Sequence, residues 1–351
     1  MAGEVSENTV WHDIDEAGFV LDGLYWHRKG GGFRRIPEDV RISERVNGLA
    51  DNTAGVMLRF RSGADSVKVR VKLKRWQESL MGHMAETGSA GFDLYAGEPG
   101  AMVFAGASVF PVGADNYSSE LFRRAGEPRV REFILNFPLY CGVETLEVGL
   151  SDGAEVLPPT PWRDRRPVVV YGTSIQQGGC VSRPGMGHTN QMSRMLNRPF
   201  LNFGFSGSGL GEPEMAELLA GIADPAMYVL DYDANAGVEG LRKTLPEFID
   251  ILRKKHPETP ILLVSRLPMR EEFLSGCALT PERMEFTRIH TEEAARRREA
   301  GDRHIHFLDG SGLYGPEPFE CTVDGIHATD LGMYFVARTM APVIERILSA
   351  R

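Results

Sequence analysis

With 351 residues, 42% hydrophobic and 25% charged, the chain has the composition of a globular protein long enough to bury more than one core, so two domains are expected. A formal net charge of -9 excludes the broad basic face that a nucleic-acid or anionic-membrane partner would need, and a small or neutral substrate fits better. The first residues, MAGEVSENTV, are acidic and polar where a secretory leader would be basic and then apolar, and no apolar run approaches the roughly 20 residues that span a bilayer.

Cys141, Cys180, Cys277 and Cys321 show no CxxC spacing. Reduced, metal-free thiols in a cytoplasmic protein are the expectation.

From about residue 10 to 155 the chain reads as short β segments between Gly, Pro, Asp and Asn turns, among them Gly55–Arg61, Ser66–Lys72 and Glu132–Phe137. Val67, Val69 and Val71 alternate with Lys68, Arg70 and Lys72, the period of a strand with one wet face. An antiparallel, jelly-roll-like β-sandwich over residues 1–158 is predicted.

The Pro-rich stretch Leu157–Trp162 then reads as a linker. Beyond it, Pro167–Tyr171, Phe200–Phe203, Met227–Asp231, Ile261–Ser265 and Ile305–Leu308 are short continuous apolar runs separated by helix-period segments. Five parallel strands covered on both faces, in an α/β domain over residues 165–351, are predicted. The charged segment 283–300 is read as a helix with a solvated face, and Val336, Met340, Val343, Ile344 and Ile347 as one face of a last helix that starts near Thr329 and Asp330.

Four motifs fall where strands end. Ser174 follows the first run in the glycine-flanked turn Gly172-Thr-Ser174; in open α/β sheets reacting groups collect at this edge, although a serine here could also simply cap a helix. After the second run comes Gly204-Phe-Ser-Gly207-Ser-Gly209, where backbone N–H groups can approach an oxyanion without a Cβ in the way; the Lys of a phosphate-binding Walker loop is absent. After the third run Asn235 could donate its amide or serve a local turn. Before the last helix, Asp324-Gly-Ile-His327 lets the carboxylate reach Nδ1 of the imidazole and leaves Nε2 to take a proton, if the two are more than exposed loop residues.

Together, Gly172-Thr-Ser174, Gly207, Asn235 and Asp324-x-x-His327 resemble the blocks of the SGNH (GDSL-type) hydrolase superfamily. The resemblance covers about residues 165–350, and the phrases GTSIQQGGCVSRPGM and DGIHATDLGM are similar to the branch in which an N-terminal β-sandwich precedes the hydrolase domain. It implies a flavodoxin-like three-layer fold, with Ser174 as nucleophile, His327 as base and Asp324 as its orienting partner. It also implies an oxyanion hole of the Ser174 and Gly207 N–H groups with the Asn235 side chain. Thr173 stands where the literal phrase has Asp, and Ala-Asn-Ala where the third block has Gly-x-Asn-Asp; the second departure leaves Asn202 open as a substitute.

The resulting expectation is a serine esterase without cofactor or metal, acting on a small acyl ester. Arg183 and His188, close after the first motif, are further candidates for the substrate pocket. His304-x-His306 could present two imidazoles on one strand face but has no third ligand at metal spacing. An acyltransferase using the same acyl-enzyme, and a non-catalytic carbohydrate-binding protein, are the alternatives. The texture of the sandwich suggests a sugar-directed substrate, with Trp11, Tyr25, Trp26 and Trp76 either meeting sugar or filling the core; the sandwich could instead wall the active site or join copies into a homo-oligomer.

Overall fold

The computed structural model describes residues 8–75, 80–276 and 279–350; Trp76 and Cys277 lie outside them. The N-terminal half contributes strands β1 (Thr9–Asp13), β2 (Val20–Asp22), β3 (Met57–Ser62), β4 (Ser66–Lys74), β5 (Asp93–Gly97), β6 (Val103–Ala107), β7 (Asn116–Arg123), β8 (Arg131–Asn136) and β9 (Gly142–Ser151). They form two antiparallel sheets, β1-β9-β4-β7 and β2-β3-β8-β5-β6, packed face to face. In β4 the valines point into the core while Arg70 and Lys72 are exposed, as the alternation predicts.

Strand β8 departs from that pattern, because all six residues of Arg131–Asn136 are buried. Phe133 and Leu135 fill the sandwich core, while Ile134 and Asn136 face the second half of the chain. The second sheet of the sandwich is therefore covered on both sides. Contact between the halves is close enough that a Cβ on Gly55, whose φ is +80°, would lie 2.5 Å from Asn202 Cβ.

The second half holds β10 (Val168–Gly172), β11 (Phe200–Gly204), β12 (Met227–Asp231), β13 (Ile261–Val264) and β14 (Ile305–Leu308), all parallel, in the order β11-β10-β12-β13-β14. This is the doubly wound order 2-1-3-4-5, whose switch point lies between β10 and β12. Apart from β14, every residue of these strands is buried, which is why the runs lack polar alternation.

In the N-terminal half, helices α1 (Glu44–Leu49) and α2 (Glu86–Ser89) interrupt the strands. After β10 come α3 (Ser174–Gln177) and α4 (His188–Leu196), then α5 (Pro213–Ala220), α6 (Asp233–Lys255), α7 (Arg270–Leu274), α8 (Pro281–Glu299) and α9 (Asp330–Ser349). Thr329 caps α9 by accepting from Gly332 N.

The prediction for residues 283–300 needs correction. Helix α8 does have a wet face, but Arg283, His290, Glu293 and Arg297 are buried on its inner side. Arg283 pairs with Glu272 at 2.6 Å, and Arg297 bonds Asp250 at 2.8 Å and the Pro246 carbonyl. These charges are packed against neighbouring elements instead of solvated.

Candidate active site

Thr173 fills the position where the motif's literal form has Asp, and it caps α3. Its hydroxyl accepts from Ile175 N, its own N–H donates to Gln176 Oε1 at 2.7 Å, and Gln176 Nε2 reaches Asp231 Oδ2 at 2.6 Å. That last bond ties the turn after β10 to the end of β12. Burial pushes the Asp231 carboxyl well up.

The turn after β11 is stitched to the same place. Phe205 N donates to Gly172 O at 3.0 Å, Ser206 N to Gln177 Oε1 at 2.8 Å, and Gly209 N to Asn235 Oδ1 at 3.2 Å. Cβ atoms on Gly172, Gly204 or Gly209 would sit 2.3, 2.2 and 2.5 Å from neighbouring backbone, so these glycines permit the close approach. Asn235 lies in the first turn of α6, just before Gly237 breaks the helix with φ +66°.

The loop before α9 is closed by Val323 N to His327 O, at 2.8 Å, and rests on α7 through Arg270 N to Gly325 O, at 2.7 Å. Within it one carboxylate organises everything: Asp324 Oδ1 accepts from Ile326 N and His327 N, and Oδ2 meets His327 Nδ1 at 2.7 Å. His327 Nε2 lies 2.9 Å from Ser174 Oγ. Burial opposes ionisation of Asp324, but the imidazole and the two backbone N–H groups outweigh it and bring the carboxyl down to about 2. Asp330, the first residue of α9, accepts from Ser182 N at 2.8 Å and so anchors the serine's loop to the histidine's.

Three donors remain unspent at this edge. No hydrogen bond from Ser174 N–H, Gly207 N–H or Asn235 Nδ2 forms among the described residues, while the Asn235 carbonyl is occupied by Gly209. Asn202 is different: its amide is buried and donates to Gln176 O at 2.6 Å and Thr189 Oγ1 at 3.0 Å, and its Oδ1 accepts from Gly204 N. It is consumed by the fold and cannot stand in for Asn235.

The two pocket candidates sit elsewhere. Arg183 faces the sandwich, donating to Asp93 Oδ2 at 2.6 Å and Tyr95 OH at 2.8 Å and stacking over Phe104. His188 opens α4 as a buried ring, which burial alone pushes down to about 4, into the neutral form. Neither reaches Ser174 or His327 by any bond among the described residues.

What the motifs did not reveal is the sandwich's share of the site. Tyr140 OH donates to Ser174 O at 3.4 Å, Arg45 Nε donates to Ser206 O at 3.4 Å beside Gly207, and the His83 ring lies 5.7 Å from that of His327. Arg35, fully buried, donates to Asn202 O, Gly204 O and Leu49 O and holds the end of β11. None of these residues sits in a local pattern that announces it. An apolar groove of about 710 Å³ lies at the opposite, amino edge of the sheet, lined by Tyr25, Trp162, Pro167 and Pro199, and carries none of the four motifs. Of the other aromatic candidates, Trp26 packs on Phe203 and Trp11 lies under Arg70.

The parallel sheet carries a hydroxyl, an imidazole and a carboxylate in hydrogen-bonded sequence beside its switch point, and the family match makes the class a carboxylic ester hydrolase. The chain belongs to the GDSL-like lipase/acylhydrolase family, whose model matches residues 165–345. A second model, the N-terminus of Esterase_SGNH_hydro-type, called GxDLY, matches residues 9–156. Its name spells Gly91-Phe-Asp93-Leu-Tyr95 of this chain, the strand that receives Arg183.

A crystal structure described as a GDSL-like lipase from Bacteroides ovatus is similar over 97% of this chain and 98% of its own, at 27% identity and a TM-score of 0.84. The salicylyl-acyltransferase SsfX3 from a tetracycline biosynthetic pathway is similar over 97% of both chains, at 20% identity and a TM-score of 0.75. An acetyl xylan esterase, Est2A, from Butyrivibrio proteoclasticus shares the fold over 97% of this chain and 99% of its own, at 12% identity and a TM-score of 0.57. No curated protein matches the chain. Among the described residues no helix is long and apolar enough to cross a membrane.

Proposed function

We propose that the chain is a serine esterase in which Ser174, His327 and Asp324 act as the catalytic triad on short acyl esters. The observation that carries this reading is the unbroken chain from Ser174 Oγ to His327 Nε2, at 2.9 Å, and from His327 Nδ1 to Asp324, at 2.7 Å. Asp324 fixes the tautomer with Nδ1 protonated, so Nε2 accepts the serine proton as Oγ attacks the acyl carbonyl. The tetrahedral oxyanion is held by Ser174 N–H, Gly207 N–H and Asn235 Nδ2, donors left without a partner among the described residues. The imidazolium gives its proton to the leaving alcohol, and a water activated by the same nitrogen releases the acid and restores the serine.

A sugar alcohol is the substrate side we favour, because carbohydrate esterases such as Est2A share the two-part architecture. The likeness to SsfX3 supports a second reading, in which the acyl-enzyme passes its group to an alcohol other than water.

The test is hydrolysis of p-nitrophenyl esters from acetate to decanoate, and of acetylated sugars, by wild type and Ser174→Ala, each checked for fold by circular dichroism. Serine-dependent turnover that falls with acyl length is expected. Equal rates in a folded Ser174→Ala overturn the nucleophile. Partition of the acyl group mainly to an added alcohol, with little free acid, replaces the hydrolase with the transferase.

A further inference from the structure

We propose that His83, Cys180 and His327 form a binding site for a soft divalent cation of the Zn²⁺ type, and that its occupation switches the active site off. One ligand atom from each of the three residues lies within 4.8 Å of the others. Tetrahedral zinc with bonds of about 2.0–2.3 Å to nitrogen and sulfur sets its ligands roughly 3.5 Å apart, so the cluster needs only a small closure. The residue able to supply it is His83, whose ring is exposed while its neighbours Met81 and Met84 pack against the core.

The other two ligands are held in place. Cys180 follows Gly178 and Gly179 and itself adopts φ +75°, a conformation that residues with a side chain seldom take, with its thiol buried beside the triad. His327 is fixed through Nδ1 by Asp324 at 2.7 Å. That bond survives metal binding at Nε2 and gives the carboxylate–histidine–metal arrangement that steadies zinc ligands. Two imidazoles and a thiolate suit zinc and its soft relatives and do not suit Mg²⁺ or Ca²⁺, which take oxygen.

The chemistry balances without a further reactant. The cation takes the Nε2 lone pair, the Cys180 thiol releases its proton to solvent as sulfur binds, and the fourth position goes to water or to Ser174 Oγ. Nε2 can then no longer accept the serine proton. The loss of turnover rests on His327 being the general base of the proposed esterase; the metal site itself does not.

Two readouts separate these claims. Co²⁺ titrated into the full chain should produce a thiolate-to-cobalt charge-transfer band that saturates at one ion per chain, vanishes in Cys180→Ala, and weakens in His83→Ala by about tenfold or more in affinity, the loss that even an outer partner of a ligand can cause. In parallel, Zn²⁺ should inhibit ester hydrolysis reversibly with EDTA, while His83→Ala and Cys180→Ala, each measured against its own metal-free rate, should resist inhibition. Absence of the cobalt band, or equal inhibition of wild type and both variants, overturns the proposal. If no ester is turned over at all, the catalytic reading fails while the cobalt band still decides the site.

Discussion

Two polar networks flank the segment that runs from α3 to α4, and they are finished differently. In one, Asp93 is completely buried and its carboxylate accepts from Arg183 at 2.6 Å, Asn136 Nδ2 at 2.8 Å and Gly185 N at 3.0 Å, while Asn136 Oδ1 accepts from Asn190 at 2.9 Å. In the other, Asp324 is about one-third exposed and supports His327, which supports Ser174, and the donors around the serine are left open. Both begin with a carboxylate holding a basic group. The first satisfies its groups and locks two halves of the chain together; the second leaves the Ser174, Gly207 and Asn235 donors open, the place where the proposed oxyanion would be held.

The comparison can be broken at either end. Ser174→Ala or His327→Ala should lower kcat by about a millionfold, the loss seen when a member of such a unit is removed. Asp324→Asn should cost about 10⁴-fold by favouring the wrong tautomer. Single-turnover and steady-state rates on a short ester check both, with the folded content of each variant measured alongside.

The same treatment of the Arg183 network should leave the chemistry alone. Arg183→Met uncovers the buried Asp93 charge and should cost about 3–5 kcal/mol of stability, seen in urea denaturation, with kcat/KM of the folded fraction unchanged. A large fall in kcat/KM at unchanged stability would instead place Arg183 at the substrate. Asn235→Ala tests the open side, with kcat expected to drop about 10²–10³-fold and KM nearly constant.

The smallest effect concerns His188. Burial pushes its ring down to about 4, against about 6.5 in the unfolded chain, so the unfolded state holds more protons between these values. Stability should therefore fall as pH drops from about 6.5 towards 4, by at most one proton's worth of slope. His188→Gln should flatten that part of the curve, and an unchanged slope would mean that the ring takes up its proton in the fold as readily as in the unfolded chain.

The elements were legible because burial on one face or on two leaves different periods. Val67, Val69 and Val71 alternate with wet neighbours, whereas Val168–Gly172 and Met227–Asp231 cannot. Contacts between the halves were much less legible. Arg183 and Arg35 look like surface arginines in the chain, and only the approach of β5 and β11 makes Arg183 a partly buried clasp and Arg35 a fully buried one. The acid of Gly91-Phe-Asp-Leu-Tyr95, charged amid apolar neighbours in a strand, was the one local sign of such a partner.

By itself the sequence determined the order of the strands along the chain, the strand-end positions of Ser174, Gly207 and Asn235, and the Asp324–His327 pair, because each depends on residues within a few positions of one another. The tertiary structure alone decided which asparagine is spent and which is open, which arginine is sealed, and that His83, Tyr140 and Arg45 of the sandwich stand beside the site. Those outcomes depend on groups of different elements that meet only in the fold, from Thr189 and Asn202, 13 residues apart, to Arg45 and Ser206, 161 apart, and no local spacing encodes such a meeting.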